Sequence, residues 1–207
     1  MWKIVLIIVA VVFVYNWHST SPVAIDSNIS DTFPIQYASS LSIDKSPLQK
    51  NINSDKQSFQ VDEYKITPLA NFQLVGRVLG AERYRTDRES ALSPVDLALG
   101  WGPMANRDTL DKLTITQSNR WYHWRTDKFP IPRRDIETNS ANMHFIPGNS
   151  EVETKLKSIE SGDTVKLMGY LVHIDGKDGW TWTSSMTRED TGNHSCEVIL
   201  LEDIKTI

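Results

Sequence analysis

The stretch SGDTVKLMGYLVHIDGKDG, residues 161–179, decides the fold. Residues 165–174 are apolar on both faces in their middle, which is typical of a central strand of a barrel or sandwich. Residues 175–179 carry two glycines and predict a hairpin loop. A polar loop over 184–194 follows, and residues 196–204 are predicted as the last strand. This part of the chain carries its densest strand and turn signals.

Length and composition limit the class of protein. The chain has 207 residues, room for one domain with appendages or for two small domains. Its net charge of −4 argues against a protein whose main role is to wrap nucleic acid, because such proteins are usually basic. Cys196 is the single cysteine, which excludes an internal disulfide framework and a multi-cysteine zinc site. We expect no nucleic-acid partner and no cofactor.

The first 17 residues, MWKIVLIIVAVVFVYNW, predict a transmembrane anchor. A helix of this length spans about 25 Å, slightly less than a hydrocarbon core of about 30 Å. Lys3 precedes the apolar run, and no Lys or Arg follows it until Lys45. The positive-inside rule therefore predicts a bacterial inner-membrane protein with a cytoplasmic N-terminus and a periplasmic domain. A cleaved signal peptide and a secreted chain are the alternative.

Residues 18–63 differ in composition from the rest of the chain. They contain ten serines and no glycine, and their apolar residues are isolated. Such a segment buries too little surface to offset the entropy that is lost when a chain is ordered. We therefore predict a disordered tether over 18–63 and a globular domain over 64–207.

Within the domain, strand patterns are interspersed with short helix signals. Residues 72–78 alternate like a half-buried strand, and residues 114–125 begin β-branched and end aromatic, which also favours a strand. Ser150 and Glu153 form a predicted capping box. Helices are predicted over 95–99, 106–113, 133–139 and 149–162. The predicted fold class is α+β: a β-rich domain, a small barrel with flanking helices, behind the N-terminal anchor.

Polar side chains alternate along residues 140–147, SANMHFIP. In an extended chain Ser140, Asn142 and His144 share one face, which makes them candidates for the lining of a polar pocket. Residues of these types equally serve to fasten neighbouring loops by hydrogen bonds. Arg188 and Asp190 lie in the loop over 184–194 and are candidates to hold a ligand. An Arg188–Asp190 pair that only holds the loop together is the alternative.

An aromatic and basic strip extends over residues 120–134. It includes Trp121 and ends in Arg133 and Arg134, which we take as further candidate binding residues. Aromatic rings beside arginines stack bases or sugars. An amphipathic strand at the mouth of a barrel has the same composition, so both interpretations stay open.

The sequence contains no recognised catalytic pattern. The chain lacks Walker A, Gly-x-Ser-x-Gly, His-Glu-x-x-His and calcium-loop sequences, and its five histidines show no metal-ligand spacing. His144 and Asp190 are candidate catalytic residues, and no metal site is expected. A nucleophilic Cys196 with a histidine base is conceivable, but a cysteine that begins an apolar strand more often behaves as a small hydrophobic residue.

Four motifs carry a resemblance to a known family: LSPVDLALGWG from Leu92, QSxRWY from Gln117, SANMHxIP from Ser140 and GDxVxLxGYLV from Gly162. Over about residue 64 to the end, the chain resembles a family of uncharacterised bacterial membrane-anchored proteins. The resemblance implies a membrane anchor but carries over no catalytic residue. The opening of the last motif is also similar to the first strands of small OB-like barrels.

These observations favour a single-pass membrane-anchored envelope protein that presents a soluble binding or scaffolding domain. Its partners would be the membrane, through the N-terminal helix, and a protein of the envelope. The alternative is a hydrolase-like enzyme that uses the Ser140, Asn142 and His144 face together with the loop over 184–190. The enzyme hypothesis requires Ser140, Asn142, His144, Arg188 and Asp190 to converge on one cleft.

Overall fold

The computed structural model describes residues 36–52, 58–61, 63–190, 192 and 195–207. The predicted anchor over 1–17, the alternative signal peptide and the tether up to residue 35 lie outside the described residues. Within the described part of the chain, no helix is both long and apolar enough to span a membrane.

Five strands pair into a closed ring. They are β3 (Tyr64–Arg83), β4 (Val95–Gly100), β7 (Ser140–Pro147), β8 (Thr164–Gly176) and β10 (Glu197–Thr206). Around the ring the order is β3, β4, β7, β10, β8 and back to β3. The β7–β10 pair is parallel and the other four pairs are antiparallel. The domain is therefore β-rich, and with its few short helices it agrees with the predicted α+β class.

The remaining described strands and helices lie outside this five-stranded ring. The additional strands are β1 (Leu48–Asn51), β2 (Phe59–Val61), β5 (Thr114–Ser118), β6 (Trp121–Arg125) and β9 (Thr181–Thr183). The helices are α1 (Arg107–Leu110), α2 (Arg133–Thr138) and α3 (Ser150–Ser158). Strands β1, β2 and β9 extend the sheet at its edges, whereas β5 and β6 form a separate hairpin.

Strand β8 is buried on both faces, as its sequence predicts. Val165, Leu167 and Leu171 belong to the inner hydrophobic cluster, which also receives the apolar face of α3. Tyr170 and Val172 belong to a second cluster on the outer face. Helix α3 therefore closes one end of the barrel, because it lies between the end of β7 and the start of β8.

Close approach of β10 to β8 requires a glycine. A Cβ at Gly169 would collide with the carbonyl oxygen of Leu200 on β10. The ladder between β8 and β10 also shifts register between Leu201 and Asp203, and β3 carries two such shifts in its own pairings. Irregularities of this kind bend strands, which a ring of only five strands needs in order to close.

The predicted helix over 95–99 is wrong. Residues Val95–Gly100 form β4, and all six are buried between β3 and β7. The Ser-Pro-Val-Asp sequence has the residue types of a helix N-terminus, and this local signal is why a helix was predicted here. Two-sided burial in the sheet outweighs it, because tertiary packing overrides weak local propensity.

The predicted disorder of the tether is wrong for its described residues. Strand β1 pairs with β3 from Leu48 opposite Gln73 to Asn51 opposite Ala70. Tyr37 hydroxyl donates to the carboxylate of Asp203 at 3.0 Å. This segment gains order from backbone pairing at a sheet edge, which its scattered apolar residues do not reveal.

Of the two predicted helix caps, one is confirmed and one is wrong. Asn106 caps α1 as predicted, its side chain accepting a hydrogen bond from the Asp108 backbone N–H. Helix α3 is capped by Asn149 rather than Ser150, through a 2.9 Å bond from the Val152 N–H. Glu153 pairs with Lys157 on the helix surface. The predicted capping box is therefore wrong, because the cap lies one residue earlier.

Candidate functional site

A cleft of about 210 Å³ opens where three segments meet. Strand β6 supplies an aromatic wall of Trp121, Tyr122 and Trp124, and the start of β7 supplies Ser140, Ala141 and Asn142. The loop before β10 supplies Arg188, Asp190, Gly192, Ser195 and Cys196, and Glu137 of α2 completes the lining. The cleft lies at the opposite end of β10 from α3, since Cys196 immediately precedes that strand.

Most of the predicted site residues converge on this cleft. Ser140, Asn142, Arg188, Asp190 and Trp121 all line it. The remaining three, His144, Arg133 and Arg134, do not. Two of its walls therefore consist of segments that the sequence singles out, the start of β7 and the loop before β10.

Arg133 and Arg134 are engaged with acids on the surface. The Arg133 Nε lies 2.7 Å from Glu137 Oε1, one helical turn away. Arg134 forms an ion pair with Glu189 in the loop before β10. Both arginines are largely exposed, so these pairs contribute little stability, but they neutralise the basic end of the strip.

The aromatic wall belongs to a hairpin that the sequence does not predict. Residues 114–125 were expected to form one strand, but β5 and β6 pair from Thr114 opposite Arg125 to Ser118 opposite Trp121. Asn119 and Arg120 form the turn with φ of 51° and 67°. Asn tolerates this left-handed region, whereas Arg enters it at a cost that surrounding contacts must offset.

The contacts of Arg120 are strong enough to hold this turn. Its Nη1 lies 2.8 Å from Asp96 Oδ1, and its Nε and Nη2 each lie 2.8 Å from the two oxygens of Asp87. The guanidinium also covers the ring of Tyr84 at 3.9 Å. The hydrogen bond from Arg120 holds the pKa of Asp87 below its usual value. Arg120 thus supplies the opposite charge that a fully buried Asp96 requires.

Asn142 links this hairpin to the barrel. Its Oδ1 accepts from Gln117 Nε2 at 2.8 Å, and its Nδ2 donates to the Arg120 carbonyl at 3.0 Å. The side chain is buried at the floor of the cleft. Asn142 therefore has the fastening role that was the alternative to a binding role, and it also shapes the floor.

His144 is buried beneath the hairpin and does not reach the cleft. Its Nδ1 lies 2.9 Å from Asp96 Oδ2, although the ring N–H does not point at that oxygen. The imidazole also packs against Trp182 with ring centroids 4.9 Å apart. A residue in this position supports the packing of the outer face and is not placed to touch a ligand.

The Ser140 hydroxyl is committed to two neighbours. It donates to the Ile136 carbonyl at 2.6 Å and lies 2.8 Å from the Tyr122 hydroxyl. Because Ser140 has one proton, Tyr122 is the donor in the second bond. Burial raises the pKa of Tyr122 to about 12, so the phenol remains protonated and able to donate.

The loop before β10 is held by other contacts than the predicted Arg188–Asp190 pair. Arg188 Nε lies 2.7 Å from Glu197 Oε1 instead, and its guanidinium covers Phe72 of the inner cluster at 5.5 Å. Asp190 Oδ2 accepts from the Ser185 hydroxyl at 2.7 Å. The loop is therefore fastened into the mouth of the barrel, with Asp190 at the edge of the cleft.

Glu197 is a residue that the sequence analysis missed. It is 1% exposed, lies on the same face of β10 as Ile199 and Leu201, and so faces the barrel interior. Burial raises its pKa to about 7, while the Arg188 charge acts in the opposite direction. The sequence Cys-Glu-Val-Ile-Leu-Leu could have indicated this residue. An acid at the start of an apolar strand is expected to be buried, and a buried charge needs a partner.

Cys196 lines the cleft but is not an activated thiol. Burial and the nearby acids Glu197, Asp96 and Asp190 raise its pKa to about 12. A nucleophilic cysteine needs the opposite shift. Within the described residues, no group of three or more His, Cys, Asp or Glu side chains is placed to hold a metal ion.

No family model, curated protein or solved structure matches this chain.

Proposed function

We propose that the chain is a single-pass, membrane-anchored envelope protein whose barrel presents the cleft as a binding site. The observation that carries this proposal is the convergence of five predicted binding residues from three separate segments: Trp121, Ser140, Asn142, Arg188 and Asp190. The cleft is smaller than the roughly 300–1,000 Å³ of typical drug-sized sites, which favours recognition of one small chemical group. The anchor itself is supported by the apolar sequence of residues 1–17.

The barrel is of the OB type in this proposal. In chain order the five barrel strands are β3, β4, β7, β8 and β10. Around the ring their order is first, second, third, fifth, fourth, and α3 connects the third strand to the fourth. This is a Greek-key barrel of the size that OB domains use. The GDxVxL motif begins β8, the fourth barrel strand, whereas the sequence similarity had pointed to a first strand.

A nucleic-acid role is disfavoured by what covers the barrel. OB domains bind oligonucleotides on the face of their second and third strands. The corresponding strands here are β4 and β7, and their outward residues Asp96 and His144 are buried, with the hairpin turn at Arg120 bonded over Asp96. Arg120, the basic residue at this position, is paired with Asp87 and Asp96 and so is not free to contact a phosphate.

The hydrolase alternative has less support. Ser140 donates its proton to the Ile136 carbonyl rather than to a base, and His144 contacts Asp96 and Trp182 beneath the hairpin. Nucleophilic catalysis needs a nucleophile and base in hydrogen-bond contact. Neither residue has the contact that this chemistry requires.

Two experiments on the full-length chain test the proposal. In spheroplasts, added protease should digest the domain while a cytoplasmic control protein stays intact; a protected domain would contradict the periplasmic orientation. For the cleft, a photo-crosslinking amino acid is placed at Trp121 in growing cells, with Glu160 as a matched exposed position. A crosslinked envelope component specific to position 121 supports a binding site, whereas identical products at both positions contradict it.

A further inference from the structure

Resting on the proposed binding role of the cleft, we infer that its ligand is an organic cation, a protonated amine or guanidinium group. The juxtaposition that carries this inference is a single cleft lined by both aromatic rings and acids. Trp121 and Trp124 of β6 supply the rings, and Glu137 and Asp190 are the acids of the lining. A cation gains from both, through the quadrupole of the rings and through charge-assisted hydrogen bonds.

Each of the two acids has one carboxylate oxygen that accepts no hydrogen bond from the described residues. Asp190 uses Oδ2 for the Ser185 hydroxyl, and Glu137 uses Oε1 for Arg133. For Asp190 Oδ1 and Glu137 Oε2, the described residues supply no hydrogen-bond donor. Arg133 is itself largely exposed, so its pair with Glu137 is a weak surface pair that leaves this acid able to receive a second cation.

Arg188 does not reverse the charge of the cleft. Among the described residues it is the one basic side chain of the lining, but its Nε pairs with buried Glu197 and its Nη2 donates to the Ser185 carbonyl. Its remaining nitrogen, Nη1, is buried and has no hydrogen-bond partner among the described residues. Even where Glu197 is protonated, the acids Glu137 and Asp190 outnumber this one guanidinium among the described residues of the lining, which therefore favours a cation over an anion.

The aromatic wall is available for stacking. Trp121 is half-buried at the end of the hairpin turn, and Trp124 packs edge-on against Phe129 with ring centroids 6.0 Å apart. Tyr122, between them, is held by its hydroxyl to Ser140. The hairpin is braced by Arg120, so these rings are positioned before any ligand binds, which reduces the entropy lost on binding.

A matched set of probes tests the charge of the ligand. Benzylammonium, benzyl alcohol and benzoate have similar size and differ in charge, and binding is followed by NMR titration of the Trp121 and Trp124 indole N–H signals. We expect benzylammonium to bind about tenfold more tightly than benzyl alcohol, and benzoate not to bind. Equal affinity of the first two, or tighter binding of benzoate, would overturn the inference.

Variants tie the preference to the cleft. Asp190→Asn keeps an acceptor for Ser185 and should weaken benzylammonium binding about fivefold while leaving benzyl alcohol unchanged. Glu189→Gln removes the same charge from the neighbouring residue, which pairs with Arg134 outside the cleft, and should have an effect below about twofold. An unchanged Asp190→Asn affinity contradicts the inference.

Two further probes separate the sources of the cation. Spermidine represents a free polyamine, and a blocked Gly-Lys-Gly peptide represents a side chain of a protein partner; tighter binding of either supports the inference and identifies the source. N-acetylglucosamine is the neutral comparison. If it shifts the Trp121 indole signal while no cation does, the cation inference fails and the proposed binding role stands.

Discussion

The Arg188 guanidinium lies 2.7 Å from the buried carboxylate of Glu197, so one wall of the cleft is fastened to the inside of the barrel. Helix α3 closes the other end of the same barrel. The two closures differ in kind, because α3 contributes apolar side chains and the cleft end contributes an ion pair. The stability of the cleft end should therefore depend on pH.

Glu197 predicts how stability changes with pH. Burial raises its pKa from 4.5 to about 7, so between these values the folded chain holds a proton that the unfolded chain has released. Raising the pH through this window should therefore lower the free energy of unfolding, on the order of 3 kcal/mol if the whole shift is realised. Urea unfolding from pH 5 to 8 measures this. Glu197→Gln should flatten the dependence, and an unchanged slope would show that another group is responsible.

Removing Arg188 should have a pH-dependent cost. In Arg188→Ala the Glu197 carboxylate is left buried without a partner, which we expect to cost roughly 2 kcal/mol or more at pH 8. At pH 5 the Glu197 side chain is neutral, so the loss should be smaller. Arg134→Ala, which removes only a surface pair, is the matched control for urea unfolding. Equal losses for Arg188→Ala at both pH values would contradict the assignment.

His144→Ala should disturb folding. The imidazole is buried against Trp182 and next to Asp96, so truncation leaves a cavity and an acid with one fewer neighbour, at a cost of about 2–3 kcal/mol. His123→Ala on exposed β6 should cost below about 0.5 kcal/mol in the same thermal or urea unfolding. A stable His144→Ala protein that loses a measurable activity would instead favour the hydrolase alternative.

Arg120→Lys tests whether the hairpin is held by guanidinium geometry. Lysine keeps the charge but loses the two-oxygen contact with Asp87, and it cannot reach Asp87 and Asp96 together in the same way. We expect a loss of about 1–3 kcal/mol and increased hydrogen exchange in β5 and β6. Arg125→Lys, on the exposed side of β6, serves as control. Unaltered exchange in Arg120→Lys would show that the hairpin is held by its apolar contacts alone.

The N-terminal boundary of the domain is also testable. A chain that begins at Tyr64, the boundary that composition suggests, lacks β1, β2 and the Tyr37 contact with Asp203. It should unfold several degrees below a chain that begins at Gln36, because a loss of 1 kcal/mol lowers the midpoint by about 2–8 °C in domains of this size range. Differential scanning calorimetry compares the two. Identical midpoints would show that residues 36–61 add nothing to stability.

Features that depend on neighbouring residues along the chain were predictable. The two-sided burial of β8, the cap of α1 and the shared face of Ser140 and Asn142 all follow from periodicity or from one cap residue. These are short-range patterns, and backbone geometry converts them directly into position.

Features that depend on distant contacts were not predictable. The Ser-Pro-Val-Asp pattern favours a helix locally, and only pairing with β3 and β7 makes residues 95–100 a strand. Arg120 in a turn with positive φ is unfavourable by itself and is explained by Asp87 and Asp96, which lie more than twenty residues away. The sequence alone does not show which distant acid will offset the conformational cost of Arg120 in this turn.

Tyr37 determines where the chain arrives on the barrel. Its ring lies beneath the ammonium groups of Lys166 and Lys205, at 4.6 and 4.8 Å, and so beside the final residues of β10. The cleft adjoins the first residues of β10, and the eight residue steps from Glu197 to Lys205 correspond to roughly 26 Å of extended strand. The described chain thus begins at one pole of the barrel, and the cleft lies at the other.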